Sequence, residues 1–121
     1  NILQATMLAM KRAIIDLQEE YAKYRAKIIF KVMVDGNHCP DIANCMAIVK
    51  GDLSEPTISA ASIIAKVTRD RQMRELDSQY PQYGFAQHKG YGTRKHLLAL
   101  SKYGPIQGIH RHTFGPIKEF S

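Results

Sequence analysis

Between Ser78 and Lys118 the chain has neither aspartate nor glutamate. That span carries Lys89, Arg94, Lys95, Lys102, Arg111 and Lys118, together with four of the five histidines. Elsewhere bases and acids balance, so the whole net charge of +6 sits in the last third of 121 residues. Basicity with no interleaved acid predicts a polyanionic partner, nucleic acid first, or else a plain solvated basic surface. Other absences narrow the class. No run approaches the roughly 18 apolar residues that a membrane span requires. No charged segment precedes the apolar start of NILQATMLAMKRA, so a secretory signal is not expected there. There is no initiator Met, no internal repeat, no low-complexity tract and no linker. We expect a processed chain or a fragment. At 45% hydrophobic residues, it should build one domain with an ordinary core.

Cysteine is scarce too. Cys39 and Cys45 make a lone C-x5-C, which is not a zinc-ribbon spacing. Free thiols in a reducing cytosol are the expectation. His88, His96, His110 and His112 form no HExxH pattern. They read as phosphate contacts or solvated side chains rather than a zinc site.

What is present is organised around Ile28 to Asp52. Two short apolar runs, 28–34 and 45–49, each lead to an aspartate beside a glycine, Asp35-Gly36 and Gly51-Asp52. Apart from Lys31 the first run is apolar on both faces, as in the buried strands of α/β sheets. Parallel strands would bring both aspartates to one sheet edge, where α/β proteins bind ligands. A hairpin would separate them. The link from Gly36 to Cys45 is slightly short for a parallel crossover. Extended, it reaches about 33 Å, enough to return along a strand of about 17 Å. The residues alone permit parallel strands without forcing them. The aspartates suit a hard divalent cation, but DG and GD are also ordinary turn dipeptides. Two carboxylates are too few for two cations, and the chain offers Asp41 and Asp70 as extras, neither of which the sequence places at the edge.

Around this centre the periodicity predicts helices. Leu3, Met7, Met10, Ile14, Leu17 and Tyr21 recur at steps of four and three, an amphipathic helix packing one stripe on a core. Ser54-Glu55-Pro56 signals a helix start, with the helix running from Thr57 to Gln79 and ending before Pro81. Its first half should be deeply packed, and Ser59 to Ser62 are small enough for a close backbone approach. Met73, Leu76 and Tyr80 form the inner stripe of the second half. Thr93 can cap a third helix, Arg94 to Tyr103, stopped by Gly104. Gln87 to Thr93 is a glycine-rich loop in which Lys89 can meet a phosphate and Tyr91 can stack on a base or sugar. Phe114 and Phe120 read as anchors for the tail.

Taken in order, VDGN at Val34 to Asn37, KGD at Lys50 to Asp52, ISAASIIAKVTRD at Ile58 to Asp70, PQYGFAQHKGYGT at Pro81 to Thr93 and HRHTFGP at His110 to Pro116 closely resemble bacterial ribonuclease HII. The resemblance covers essentially the whole chain. It implies an α/β, RNase H-like fold, here incomplete: two C-terminal sheet strands plus helices, a single partial domain over 1–121. It further implies a Mg2+- or Mn2+-dependent endoribonuclease in the cytoplasm. Its substrates would be RNA/DNA hybrids and DNA duplexes containing ribonucleotides, cut to leave a 3′-hydroxyl and a 5′-phosphate. Asp35 and Asp52 match two of the family's four catalytic, metal-binding carboxylates. Tyr91 matches the tyrosine that packs on the sugar at the DNA–RNA junction, and Lys66 joins Lys89 as a phosphate-contact candidate. The family's Asp-Glu pair and Gly-Arg-Gly loop are not found, and GYG at Gly90 to Gly92 replaces the usual GYP. We therefore expect a monomer that is inactive and aggregation-prone alone, with its apolar strand edge exposed. A non-catalytic nucleic-acid-binding remnant is the alternative. A phosphatase of small substrates would need no such extended basic surface.

Overall fold

The computed structural model describes residues 2–24, 27–111 and 115–118. Its elements are α1 (Ile2–Ala22), β1 (Val32–Asp35), β2 (Cys45–Ile48), α2 (Gly51–Ser54), α3 (Pro56–Gln79), α4 (Phe85–His88), α5 (Arg94–Tyr103) and α6 (Gly115–Lys118). The architecture is mixed α/β. The chain divides into two compact units, 1–63 and 64–121, and the division falls within α3.

In the first unit β1 and β2 pair in parallel, with Val32 opposite Cys45 and Asp35 opposite Ile48. The Gly36 N–H extends the ladder by donating to the Ile48 carbonyl at 3.0 Å. The short link is therefore sufficient for a parallel crossover. Both strands are shorter than the apolar runs that encode them. Ile28 to Lys31 lie outside β1, and Ile29 is 90% exposed. Nor are the strands covered on both faces: Val34 is buried, but Met46 is 51% exposed. An apolar run marks a face that gains by burial, and burial still needs a neighbour. Among the described residues β1 and β2 pair only with each other.

The same correction applies to the helices. The α1 stripe forms as a helix face, yet none of its residues is buried, and Leu3, Leu17 and Tyr21 are exposed. Its contacts include a Lys11–Asp41 ion pair at 3.5 Å and a Tyr21–Phe30 edge contact with centroids 5.8 Å apart. In the first half of α3 only Ile58 is buried, while Ile63, Ile64 and Val67 are exposed. Ala60, Ala61 and Ser62 are not buried either, so among the described residues no backbone closes on them. Ser54 does not cap α3. Its hydroxyl donates to the Lys50 carbonyl, and the first turn of α3 is closed by the Ser59 N–H on the Glu55 carbonyl.

The second unit holds a continuous core of Met73, Tyr83, Phe85, Ala99, Leu100 and Ile117, with Leu76 and Tyr80 packed against it. The expected inner stripe of α3 is therefore correct. Tyr83 stacks on Phe85 with centroids 5.5 Å apart and donates its hydroxyl to the Gly104 carbonyl at 2.6 Å. Burial raises the Tyr83 phenol above its ordinary value, which keeps that donor protonated. Thr93 caps α5, its hydroxyl accepting from the His96 N–H at 3.3 Å. Phe114 and Phe120 lie outside the described residues.

Candidate functional site

The carboxylate edge is built by register. Asp35 ends β1 opposite Ile48, the last residue of β2, so both strands finish at one edge. Beyond β2, Lys50 takes a left-handed conformation (φ 53°) and turns the chain into α2, where Asp52 follows Gly51. The Gly51 N–H donates to Asp35 Oδ1 at 2.9 Å. One aspartate is thus tethered to the backbone adjoining the other. Gly51 is buried, and a Cβ there would lie 2.6 Å from Ile58 Cδ1 and 3.3 Å from Ile48 Cβ. The missing side chain lets this corner close over Ile58.

Both aspartates are exposed, and oxygen donors suit a hard cation that keeps several of its waters. Asp35 uses one oxygen on Gly51 and has the other to offer. Among the described residues no group of three or more His, Cys, Asp or Glu side chains is arranged to hold a metal ion. Two carboxylates alone would supply only part of a cation's shell. Asp41 is engaged with Lys11, and Asp70 with Lys66 at 3.8 Å and Lys89 at 3.5 Å.

The second unit gathers the other candidates. Lys66, Lys89 and Tyr91 line one open cleft of about 560 Å³ with Arg69, Asp70 and Gly90. Lys66, Arg69 and Asp70 share a face of α3 by their i, i+3, i+4 spacing. The loop Lys89-Gly90 enters the left-handed region at φ 55° and 84°, and a Cβ on Gly90 would meet Arg69 Nη2 at 3.0 Å. Tyr91 is 75% exposed, whereas its carbonyl accepts from the Thr93 N–H at 2.8 Å and from His96 Nδ1 at 2.9 Å. The backbone is held and the aromatic face is open.

The histidines depart from expectation. His88 and His96 are each only 5% exposed, and their rings stack 4.0 Å apart. His110 Nε2 lies 3.1 Å from His96 Nε2. His88 and His96 are therefore core side chains, so neither phosphate contact nor solvation describes them, whereas His110 is half-buried at their edge. His112 lies outside the described residues. Cys39 and Cys45 are free, as expected. Burial and then the neighbouring Cys39 thiol push Cys45 up to about 11, which makes it a poor nucleophile.

Comparison with known proteins places the chain. The family described as Ribonuclease HII matches residues 2–116. The chain belongs to the ribonuclease HII family. It is 54% identical over 119 residues to the Ribonuclease HII of Polynucleobacter asymbioticus, covering 98% of this chain and 58% of that protein. With the Ribonuclease HII of Coxiella burnetii (strain Dugway 5J108-111) it shares 51% over 120 residues, covering 98% and 55%. With that of Vibrio vulnificus it shares 52% over 120 residues, covering 98% and 54%. The chain thus spans a little over half the length of the curated relatives it matches. Within the ribonuclease HII sequence, Arg69 is the cleft residue that motif and charge patterns do not single out. Its spacing from Lys66 is the available signal, but only the fold brings Gly90 against its guanidinium.

Proposed function

We propose that this ribonuclease HII chain contributes half of a divalent-cation-dependent endonuclease site and part of its nucleic-acid contact. The substrates would be RNA/DNA hybrids and DNA duplexes with embedded ribonucleotides. The observation that carries this reading is the tether from the Gly51 N–H to Asp35, which brings the backbone adjoining Asp52 against the Asp35 carboxylate at the sheet edge. Asp35 and Asp52 would hold Mg2+ or Mn2+ there. Such an ion supplies water activation and charge neutralisation at a phosphodiester. Asp35 contributes a carboxylate whose orientation is fixed by the Gly51 N–H, and Asp52 contributes one from the following turn. Tyr91 offers its open ring to a sugar or base, while Lys66, Arg69 and Lys89 offer cations to phosphates.

The basic, acid-free span from Ser78 to Lys118 supports a polyanionic substrate over a small phosphoester. The test is cleavage of a duplex carrying one ribonucleotide by the full-length protein, with and without Mg2+ or Mn2+. We expect a nick leaving a 3′-hydroxyl and a 5′-phosphate, abolished by chelation and restored by added cation. Undiminished cleavage in chelator would refute the metal assignment.

A further inference from the structure

The loop that presents Tyr91 is held by ring nitrogens whose protonation the hydrogen bonds fix. Carbonyls only accept, so His96 Nδ1, 2.9 Å from the Tyr91 carbonyl, carries a proton. The Ile106 N–H donates to His110 Nδ1 at 2.8 Å, so that nitrogen is bare and His110 Nε2 carries the proton. His110 Nε2 then donates across 3.1 Å to a bare His96 Nε2. His88 is fixed independently. Its Nδ1 accepts from the Gly90 N–H at 3.0 Å, and its Nε2 donates to the Tyr83 carbonyl at 2.8 Å. Among the described contacts, each donor meets one acceptor when all three rings are neutral, with His88 and His110 as Nε2–H tautomers and His96 as Nδ1–H. The chain of donors runs one way, from Ile106 through His110 and His96 to Tyr91, while His88 holds the neighbouring Gly90.

We propose that His88, His96 and His110 are positioning residues that lock the Gly90–Tyr91 backbone for substrate contact through three neutral, directionally ordered imidazoles. This rests on the reading of Tyr91 as a substrate contact. An imidazolium donates from both nitrogens, so protonation at any ring sets two donors against each other: His88 against Gly90, His110 against Ile106, or His96 against His110. Among the described residues, the charged groups that face these rings are Asp77 from α3 and Lys95 from α5 at His88, and Arg69, Glu75 and Arg111 around the cavity that His96 and His110 line. Burial, offset in part by the Tyr83 carbonyl and Asp77, lowers His88 below its ordinary 6.5. Its neutral form is therefore the resident one at neutral pH. The arrangement turns acidification into a loosening of the Tyr91 loop.

The test combines spectroscopy with kinetics on the full-length protein. Long-range 1H–15N spectra of labelled histidines at about pH 7.5, a unit above the ordinary histidine value, should show the Nε2–H tautomer at positions 88 and 110 and the Nδ1–H tautomer at 96. An Nε2–H signal or an imidazolium at His96 would overturn the proposal, whatever the activity. On a hybrid substrate, His96→Leu should raise KM about tenfold, the scale of one lost stacking contact. His96→Asn, which retains a donor near the Nδ1 position, should recover most of that loss. Equal KM values for the two variants would also overturn it. Adding His96→Leu to Tyr91→Ala should change KM by less than about twofold, and a full further tenfold loss would show that His96 does not act through Tyr91. If Tyr91→Ala alone leaves KM unchanged, the substrate-contact reading falls, and the imidazole signals still decide the network separately.

Discussion

Arg69 shows how a cleft residue hides in a sequence and emerges from a fold. In the chain it is one arginine in a helix rich in them. In the structure its guanidinium packs so close to Gly90 that a Cβ there would touch it, beside Lys66, Lys89 and the open face of Tyr91. Asp70 pairs with both lysines, which leaves Arg69 as the cleft cation best placed to meet a phosphate. If it does so, Arg69→Ala should weaken hybrid binding without altering sequence preference. The slope of log affinity against log salt should fall by about 0.9, the release of one counterion on a duplex. Fluorescence anisotropy across a salt series reads this directly, and an unchanged slope would remove Arg69 from the phosphate contacts. Asp35 and Asp52 are legible in one dimension, since each is a carboxylate that follows an apolar run. The buried histidines are not. Their polarity suggests water, and only the facing carbonyls and N–H groups show how each ring is satisfied in a core.

At the scale of elements, periodicity places the helices and the strands but overstates their cover. The α1 stripe and the start of α3 have the right spacing, yet spacing identifies a face without saying what lies against it. The 28–34 run yields a strand only over Val32–Asp35, because a strand exists only where its ladder has a partner. The element whose boundary the residues define best is α5. Thr93 supplies the cap and Gly104 follows the last turn. Thr93→Ala should cost about 1 kcal/mol, the usual worth of a side-chain cap, seen as a lower midpoint in thermal or urea unfolding. Since Thr93 also donates its N–H to the Tyr91 carbonyl, the loop keeps that bond in the variant. A loss well above about 2 kcal/mol, the upper end for a cap, would mean that the hydroxyl does more than cap.

For the whole molecule, pH links stability to the buried His88. His88 is depressed in the folded protein, so at pH values below about 6.5 the unfolded chain takes up protons that the native one resists. Stability should be complete above that value and decline as pH falls from it through the folded value. Unfolding midpoints from about pH 5 to 8, the range over which histidine titrates, check this, and His88→Gln should flatten the acid side of the profile. An unchanged slope would place the acid sensitivity elsewhere. The parallel pair and the paired aspartates follow from the family resemblance as expectations, and the register of β1 and β2 supplies the shared edge that such a pair needs. The claim that most depends on that geometry is tested by Asp35→Asn and Asp52→Asn in the full-length protein, assayed side by side for cleavage of a ribonucleotide-containing duplex and for binding to it. Each change removes a ligand charge while keeping the side chain's size. Cleavage should fall by at least about a thousandfold, on the scale of losing several kcal/mol of transition-state charge stabilisation, with affinity within about threefold of the unaltered protein. Near-normal cleavage by either variant would contradict the assignment of Asp35 and Asp52 as the metal-binding edge.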